Sequence, residues 1–303
     1  MSKIPDDEAV KACYSTWSET YHADYYGGKA AYPPVHVGIV RRLLAESGAR
    51  TVLDAGCGPA SMLRELFDLG LDLYGFDLTP EMVAEGRRIF AAQGLPPQRV
   101  WEGSVLDPEA FRGGGADVQA GFDAVVCSGV MPHVPPQADD AVPANLGRAV
   151  RPGGLVILEA RNQLFSLFTM NRYSHEFFLH ELLDAKGLRD AAGREREALE
   201  GVLDELGGMF RTDLPPLRRG KEGEPGYDEV VSRTHNPLVL KARFAALGFR
   251  DVRLLFYHYH CLPPMFEARL PAFFRERSLA MEDPEDWRGH FLASAFFVVG
   301  TRP

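Results

Sequence analysis

Short apolar segments alternate with amphipathic helical segments from residue 33 to residue 160, and this pattern restricts the possible folds more than any other feature. The segments predicted as buried strands are TVLDAG, DLYGFDL, RVWEGSV, FDAVVCSG and GLVILEA. The segments with helical periodicity include PPVHVGIVRRLLAESG, SMLRELFDLG, TPEMVAEGRRIFAAQG and DDAVPANLGRAV. Such alternation predicts βαβ units and a parallel sheet. Because the strands are mostly apolar along their length, both faces of the sheet should be covered by helices.

One more helix and two more strands are predicted near the end of the sequence. The helix is PLVLKARFAALG, and the two strands are FRDVRLLFYHYH and FLASAFFVVGTR. Together with the five earlier strands they make seven. The sequence therefore predicts an α/β fold with one doubly wound, mostly parallel, seven-stranded sheet and a helical insertion before its last helix.

The first predicted strand ends at Asp54 and runs into a Gly-Cys-Gly-Pro turn. Ligands bind at the carboxyl ends of the strands in an open parallel sheet. Since Gly56 and Gly58 have no Cβ, their backbone can approach such a ligand closely. A dinucleotide fingerprint GxGxxG would need glycine at position 61, where the chain has Ser61. A pyrophosphate cradle is therefore disfavoured.

An acidic residue also ends the second predicted strand. Asp77 lies 19 positions beyond Gly58. A carboxylate in this place can accept hydrogen bonds from the hydroxyls of a ribose. A single GxG or a single strand-end Asp is more often a turn or a helix cap, but the two in this order indicate a ligand that carries a ribose.

Five segments taken in order resemble the successive motifs of the class I S-adenosylmethionine-dependent methyltransferases. They are VLDAGCGPA, GFDLTPEM, EGSVLD, FDAVVCSGVMPHV and RPGGLVILEA. The resemblance covers about residues 10–160 and resumes at 236–302, where the last helix and two strands fit the family's reversed final hairpin. It implies a Rossmann-like sheet and S-adenosylmethionine as the cofactor.

The resemblance also implies a set of cofactor-binding residues. These are Tyr21, Asp54, Gly56, Gly58, Asp77, Leu78, Met82, Ser104, Val105, Cys127 and Ser128. Asp77 would bind the ribose, and Leu78 and Met82 would flank the adenine. Many relatives have an acid after the glycine of EGSVLD that binds the adenine amino group; here Ser104 and the backbone of Val105 would replace it.

The remaining members of that set belong to the methionine end of the cofactor. Asp54 and the two glycines would line the methionine moiety. Cys127 and Ser128 end the fourth strand, where a carbonyl could accept a hydrogen bond from the ammonium group. Tyr21 matches an N-terminal tyrosine that often covers the methionine carboxylate.

Four histidines are candidates for a general base. If the acceptor of the methyl group is a hydroxyl, a positioned base assists by removing its proton. His133, just after the fourth strand, is the first candidate; its alternative role is that of a loop residue bonded to backbone. His258 and His260 share one strand face, and His175 is the fourth candidate. Because Cys261 points to the opposite face and no fourth ligand is evident, no metal site is predicted.

The regions outside the core are predicted to cover the ligand. Residues 1–34 form an aromatic helical lid in which Tyr14, Trp17 and Tyr21 share one helix face. Residues 35–162 and 236–303 form the cofactor-binding core, and residues 163–235 form a helical cap for the acceptor. Polar residues near the start of the cap are candidates for acceptor binding, namely Arg161, Asn162, Asn171 and Tyr173.

Charge and composition restrict the partners. The 33 Lys and Arg residues against 42 Asp and Glu residues give a net charge of -9, which disfavours DNA, RNA and anionic lipid as partners. The cysteines form no CxxC pair, the first fifteen residues lack the features of a signal peptide, and no apolar run approaches the ~20 residues of a membrane helix. We therefore expect a reduced, cytoplasmic enzyme that contacts no membrane.

The predicted function is methylation of a small polar acceptor, at oxygen, such as a sugar, a nucleotide-sugar or a natural-product intermediate. Carbon and nitrogen acceptors stay open. A nucleic-acid or protein methyltransferase is a weaker alternative, since the chain has neither a [DN]-P-P-[YF] tetrapeptide nor a Pro-Cys pair. A non-catalytic module that binds the cofactor is another alternative, and a nicotinamide dehydrogenase is the weakest because of Ser61.

Overall fold

The computed structural model describes residues 6–27, 32–113, 121–214 and 231–303. Parts of the predicted lid (residues 1–5 and 28–31) and of the predicted cap (residues 215–230) lie outside these ranges. The described strands form one seven-stranded sheet in the order β3-β2-β1-β4-β5-β7-β6. They are β1 (Thr51–Ala55), β2 (Asp72–Asp77), β3 (Val100–Glu102), β4 (Phe122–Cys127), β5 (Val150–Arg161), β6 (Arg250–Tyr259) and β7 (Ala293–Thr301).

The sheet is mostly parallel and changes direction only near its end. Strand β1 pairs in parallel with β2 on one side and β4 on the other, whereas β5 pairs with β7 antiparallel. The strand order reverses between β1 and β4, which opens a crevice at their carboxyl ends. The predicted doubly wound fold with a reversed end is therefore confirmed. The last two strands are neighbours in the sheet, but residues 260–292 connect them, not a tight turn.

Thirteen α-helices are found among the residues that the structure describes. They are α1 (Asp6–Ser15), α2 (Tyr21–Tyr25), α3 (Val35–Ser47), α4 (Ser61–Arg64), α5 (Pro80–Ala92), α6 (Ala141–Ala149), α7 (Ser166–Thr169), α8 (Arg172–Glu176), α9 (Ala185–Ala191), α10 (Arg196–Gly208), α11 (Pro237–Ala246), α12 (Pro271–Leu279) and α13 (Gly289–Leu292).

The helix predicted for SMLRELFDLG is shorter than its sequence suggests. Helix α4 ends at Arg64, and a 3₁₀ helix follows at Phe67–Leu69. Beyond α4 the backbone bonds join residues three apart, such as Leu66 N–H to the Leu63 carbonyl. The guanidinium of Arg41 donates to the Glu65 carbonyl, so this carbonyl has a partner outside the helix.

The single aromatic helix predicted near the N-terminus is wrong. Helix α1 ends at Ser15, and Tyr21 begins α2. The hydroxyls of Ser15, Thr16 and Ser18 each donate to the carbonyl three residues earlier, and such local bonds compete with helix continuation. The Tyr14 and Tyr21 rings are still neighbours, with centroids 6.2 Å apart.

The core lies around the central strands. Val52 and Leu53 of β1, together with Val125 and Val126 of β4, have no exposed surface. Burial on this scale contributes about 25 cal/mol for each Å² of apolar surface removed from water. These rigid strands fix the positions of the residues at their carboxyl ends.

The chain divides into two compact units. The first comprises Met1–Arg161, Arg218–Leu255 and Ala295–Pro303, and the second comprises Asn162–Leu217 and Phe256–Ser294. The second unit thus contains residues from both sides of α11. Across the described ranges, no helix is long and apolar enough to cross a membrane.

Candidate functional site

The turn after β1 passes close to the residues that follow β4. Gly56 has a φ of +86° and Gly58 a φ of +53°, values that favour glycine. A Cβ on Gly56 would lie 2.2 Å from a methyl carbon of Val130, whereas one on Gly58 would meet open space. The amides of Gly56 and Cys57 both donate to the Phe76 carbonyl, at 2.8 and 2.9 Å. The turn is therefore held against the end of β2.

Asp77 connects this turn to the start of helix α5. One carboxylate oxygen accepts from the Gly58 amide at 2.8 Å, and the other accepts from the Thr79 amide at 2.9 Å. Burial raises the pKa of Asp77, although these two amides oppose the shift. Thr79 occupies the N-cap position of α5, but its side chain makes no capping bond. The carboxylate of Asp77 provides the local order instead.

Asp54 is a buried acid with an unused oxygen. Its side chain lies at the end of β1 and the residue is 2% exposed. The Oδ1 atom has no hydrogen-bond partner among the described residues. Burial, and next the nearby charge of Asp77, raise the pKa of Asp54 to about 8. Because buried polar atoms nearly always have partners, this oxygen indicates a place for a donor or cation from a ligand.

One pocket collects most of the residues that the sequence predicts for the cofactor. All of that set except Cys127 line it, and so does His133; Cys127 is fully buried within β4. Leu78, Met82 and Val105 give the pocket an apolar side. The lining residues that the sequence does not predict for cofactor binding or catalysis include Tyr14, Tyr26, Cys57, Met62, Thr79 and Pro135.

The residues present fit S-adenosylmethionine. Its ammonium and sulfonium groups are cationic, and Asp54 offers a buried carboxylate oxygen that lacks a partner in the described structure. Open space beside the Gly58 backbone leaves room for a ligand at the turn. The apolar side of the pocket suits a purine ring. The described residues contain no group of three or more His, Cys, Asp or Glu side chains that could hold a metal ion.

His133 is held at both ring nitrogens. It ends a 3₁₀ helix, Met131–His133, that follows β4. Its Nδ1 lies 2.7 Å from the Val231 carbonyl oxygen, and its Nε2 lies 2.7 Å from the Tyr14 hydroxyl. Because a carbonyl only accepts, we assign the proton to Nδ1, and Nε2 then accepts from Tyr14. Burial lowers the pKa of His133 to about 4, so the ring is neutral near pH 7.

Glu159 is a residue near the pocket that the sequence analysis missed. It lies near the end of β5 and accepts from the Ser128 hydroxyl at 2.6 Å and from the Gly129 amide at 2.5 Å. It thereby fixes the backbone just after β4. Burial raises the pKa of the pocket-lining Tyr21, and Glu159 adds to this shift. The sequence feature that could have identified Glu159 is its position near the end of the fifth predicted strand, two residues before Arg161.

Arg161 and the three other candidate histidines do not line this pocket. Arg161 donates to the Ser232 hydroxyl at 2.8 Å. The three histidines belong to the second unit. The Nδ1 of His260 lies 3.0 Å from the His258 carbonyl oxygen, and burial lowers the pKa of His260 to about 4. The ring of His175 packs edge-on against that of Phe210, with centroids 6.1 Å apart.

The polar candidates for acceptor binding in the second unit make local bonds. The amide nitrogen of Asn162 donates to the carbonyls of Gly289, His290 and Ala293 at 2.8–3.2 Å, and its oxygen accepts from Leu164. Asn171 caps α8, accepting from the Tyr173 amide at 3.0 Å. The Tyr173 side chain is exposed. The Asn162 amide already uses its donors and acceptor in these bonds, whereas the Tyr173 ring is open to a ligand.

The fold is that of an α/β protein whose pocket is lined by residues at the carboxyl ends of β1, β2 and β4. Residues 53–156 match a family model described as a methyltransferase domain. A ubiquinone biosynthesis O-methyltransferase of Xanthomonas oryzae pv. oryzae (strain PXO99A) is 31% identical over 140 residues, which are 46% of this chain and 54% of the relative. The enzyme of that name from Xylella fastidiosa (strain M23) is 27% identical over 153 residues, 50% of this chain and 58% of the relative. The chain thus spans about half the length of these curated relatives.

Solved structures show the same fold. Magnesium protoporphyrin IX methyltransferase from Synechocystis PCC 6803, with bound S-adenosylhomocysteine, superposes with a TM-score of 0.53 at 16% identity, covering 98% of this chain and 100% of that one. An O-methyltransferase family protein from Burkholderia thailandensis gives a TM-score of 0.51 at 16% identity, covering 98% of this chain and 63% of that one. The matched domain and the shared fold support a class I S-adenosylmethionine-dependent methyltransferase, with S-adenosylmethionine as the cofactor.

Proposed function

We propose that this protein transfers the methyl group of S-adenosylmethionine to an oxygen atom of a small polar acceptor. The observation that carries the proposal is the composition of one pocket. Two acids, the buried Asp54 and the half-buried Asp77, and a neutral histidine, His133, line the same cavity. The acids suit the cationic cofactor and its ribose, and the histidine suits a hydroxyl that must lose a proton.

In this proposal each strand end has its own part in binding the cofactor. Asp77 accepts from the ribose hydroxyls, and Asp54 faces the cationic methionine end with the Gly56 and Gly58 backbone. Leu78 and Met82 flank the adenine, which Ser104 and the Val105 backbone bind at its edge. Ser128, the Cys127 carbonyl and Tyr21 complete the methionine end. When bound, the cofactor supplies a methyl group already activated on a sulfonium, so the chain's own task is to align the acceptor and exclude water.

In this proposal Nε2 of His133 is the atom that takes the proton from the acceptor hydroxyl. The Val231 carbonyl keeps the ring proton on Nδ1, so Nε2 presents a lone pair. In the structure the Tyr14 hydroxyl occupies this lone pair, and the acceptor hydroxyl would take its place. A base with a pKa of about 4 is weak towards a resting alcohol. As the new C–O bond forms, however, the acceptor oxygen becomes far more acidic, so a weak neutral base suffices.

The acceptor itself is proposed as a small molecule. The relatives at 27–31% identity carry the name ubiquinone biosynthesis O-methyltransferase, which supports a small acceptor and transfer to oxygen. In this proposal the acceptor carries several polar groups, as a sugar, a nucleotide-sugar or a natural-product intermediate does. In this proposal residues 1–34 act as a lid and residues 163–235 as a cap over the acceptor.

Titration calorimetry and a turnover assay test the proposal together. S-adenosylmethionine and S-adenosylhomocysteine should bind the full chain with micromolar-range affinity, and NADH should not. Methyl transfer from labelled cofactor should then appear with some members of a panel of small hydroxyl acceptors. Heat from NADH with none from S-adenosylmethionine would refute the cofactor assignment. Tight cofactor binding with transfer to no acceptor across sugar, nucleotide-sugar, phenol and catechol classes would favour a non-catalytic module.

A further inference from the structure

The five residues Val231–His235, which we call the strap, contact the loop that follows β4. The Val231 carbonyl oxygen lies 2.7 Å from Nδ1 of His133. The Arg233 amide donates to the Pro132 carbonyl at 2.8 Å, and the His235 amide donates to the Arg161 carbonyl at 2.7 Å. The strap therefore reaches His133 and its neighbour Pro132 on one side and the end of β5 on the other.

The Arg233 side chain anchors the strap by a forked ion pair. Its two terminal nitrogens donate to the two carboxylate oxygens of Asp139, at 2.8 and 2.9 Å. One of these nitrogens also donates to the Val134 carbonyl at 2.7 Å. Such a two-point contact fixes orientation as well as distance, and a lysine cannot reproduce it.

Asp139 is suited to hold this contact. It is a buried residue, 8% exposed. Burial alone would raise its pKa, but the Arg233 guanidinium reverses this and the pKa of Asp139 lies below its ordinary value. Asp139 also lies 3.3 Å from Arg243 and 3.5 Å from His235. The carboxylate is therefore a charged fixed point inside the first unit.

The position of the Arg233–Asp139 ion pair along the chain explains how it can act on His133. Arg233 is two residues from Val231, and Asp139 is six residues from His133. The ion pair thus joins the strap to the loop within a few residues of the carbonyl–imidazole contact. Which ring nitrogen of a histidine is protonated depends on the hydrogen bond that the other nitrogen makes. If the Val231 carbonyl moved away, Nδ1 would lose the acceptor that keeps its proton.

We propose that Arg233 is a positioning residue: its ion pair with Asp139 holds the Val231 carbonyl on Nδ1 of His133 and keeps the Nε2 lone pair directed to the pocket. The catalytic meaning of this arrangement rests on the proposed function, whereas the tautomer itself does not. The strap is the last part of the segment predicted as the cap. Through it, that segment would control the state of the base and not only the shape of the acceptor site.

Two variants and one matched control test the positioning role. Arg233→Lys keeps the positive charge but not the fork, and Asp139→Asn keeps the shape but not the charge. Arg243→Gln is the control, because Arg243 also pairs with Asp139 but, among the residues that the structure describes, makes no hydrogen bond to the strap. The chemical shifts of the ¹⁵N ring nuclei report the tautomer in histidine-labelled full-length protein. The His133 signals, among nine histidines, are those lost in His133→Gln.

The parent and Arg243→Gln should show His133 with the proton on Nδ1. Arg233→Lys and Asp139→Asn should show a mixture of tautomers or a shift to Nε2–H. Cofactor affinity, measured by calorimetry, should stay within about threefold in all variants, which also reports that they are folded. With an acceptor, kcat should fall about tenfold or more in Arg233→Lys and in Asp139→Asn, since a positioned base contributes about 10²–10⁴-fold.

An unchanged His133 tautomer in both Arg233→Lys and Asp139→Asn would overturn the proposal. So would an equal change in the Arg243→Gln control, because the effect would then come from the charge around Asp139 and not from the strap. The proposed function fails by a different result. If His133→Ala turns over as fast as the parent, His133 is not the base, while the tautomer comparison still decides the role of Arg233.

Discussion

Two walls of the pocket differ in how far apart their residues lie along the chain. The aspartate wall consists of Asp54, Gly58 and Asp77, and its Gly58–Asp77 bond joins residues 19 positions apart. The histidine wall consists of Tyr14 and His133, backed by the Val231 carbonyl. Its two bonds join residues 119 and 98 positions apart. One wall is a local product of two neighbouring strand ends, and the other is assembled from three distant segments.

The walls also differ in charge. The aspartate wall contains two acids, whereas the histidine wall is neutral because burial lowers the pKa of His133 and raises that of Tyr14. Charge in the first wall should act on the binding of a cationic cofactor. The position of the ring proton on His133 in the histidine wall should affect the rate of methyl transfer. Substitutions in the aspartate wall should therefore change mainly the cofactor affinity, and substitutions in the histidine wall should change mainly kcat.

The largest expected effect is in the histidine wall. His133→Ala should lower kcat at least about a hundredfold, because general-base catalysis contributes about 10²–10⁴-fold, while cofactor affinity stays within about threefold. The measurements are steady-state turnover and calorimetry. His133→Gln should not restore the rate, since an amide can orient an acceptor but cannot take its proton.

High activity in His133→Gln would mean that His133 only orients the acceptor. The role of base would then pass to His258, His260 or His175, which can be replaced one at a time. If all four tolerate replacement, the acceptor is already a good nucleophile and proximity alone accounts for transfer.

The next effect concerns the aspartate wall and pH. A cationic cofactor should bind the ionised form of Asp54, whose pKa in the cofactor-free protein is about 8. Below that pH a proton must leave before or during binding, so affinity should fall about tenfold for each pH unit below 8 and level off above it. Calorimetry from pH 6 to pH 9 measures this, with buffers of different ionisation enthalpy to count the released proton.

Asp54→Asn is the matched control for that pH dependence. The amide does not titrate, so its weaker cofactor affinity should be flat over the same range. The cofactor-free fold should respond in the opposite sense. Because the folded pKa of Asp54 lies above the unfolded value of about 4, the parent should lose stability relative to Asp54→Asn as the pH rises from about 4 to 8. The comparison with Asp54→Asn removes the opposite contribution of buried histidines such as His133 and His260, whose pKa values are lowered. A difference in melting temperature between the parent and Asp54→Asn that stays constant over this pH range would contradict the assignment.

Asp77 should have a smaller effect on binding. Asp77→Ala removes an acceptor for two ribose hydroxyls, each such bond being worth about 1.5–3 kcal/mol, so cofactor affinity should fall about tenfold or more. Asp72→Ala, at the exposed start of the same strand, is the control and should bind as the parent does. If Asp77→Ala binds as tightly as the parent, the ribose lies elsewhere.

The aspartate wall was predictable because its signals are local. Apolar strands, the glycine turn and the strand-end acids all lie between residues 51 and 77, and their order along the sequence matches their order in the sheet. Strand burial and the lack of a Cβ at Gly56 and Gly58 act within a few residues. The sequence therefore predicts both the strands and the acids at their ends.

The histidine wall was predictable only in part. The place of His133 after β4 followed from the strand pattern, but its contacts with Tyr14 and Val231 depend on tertiary packing over about a hundred positions. The predicted single helix through Tyr14 and Tyr21 failed for a local reason, the Ser and Thr hydroxyls that end α1. The buried pKa of His133 could not follow from its sequence neighbours, because burial is a property of the fold.

The smallest expected effect distinguishes two roles of Tyr14 in the histidine wall. Its hydroxyl donates to Nε2 of His133, the atom to which the acceptor proton is assigned. If the hydroxyl only occupies this atom until the acceptor arrives, the two compete for one hydrogen bond, worth about 0.5–1.5 kcal/mol. Tyr14→Phe should then lower the acceptor KM about two- to tenfold and leave kcat within about threefold. If Tyr14 instead passes the acceptor proton to His133, the kcat of Tyr14→Phe should fall about as far as that of His133→Ala. Tyr25→Phe is the control for a lost hydroxyl in the same N-terminal segment. A change in KM alone would show that only His133 takes the acceptor proton, whereas a fall in kcat would show that Tyr14 takes part as well. One kinetic series on Tyr14→Phe therefore decides between the two roles.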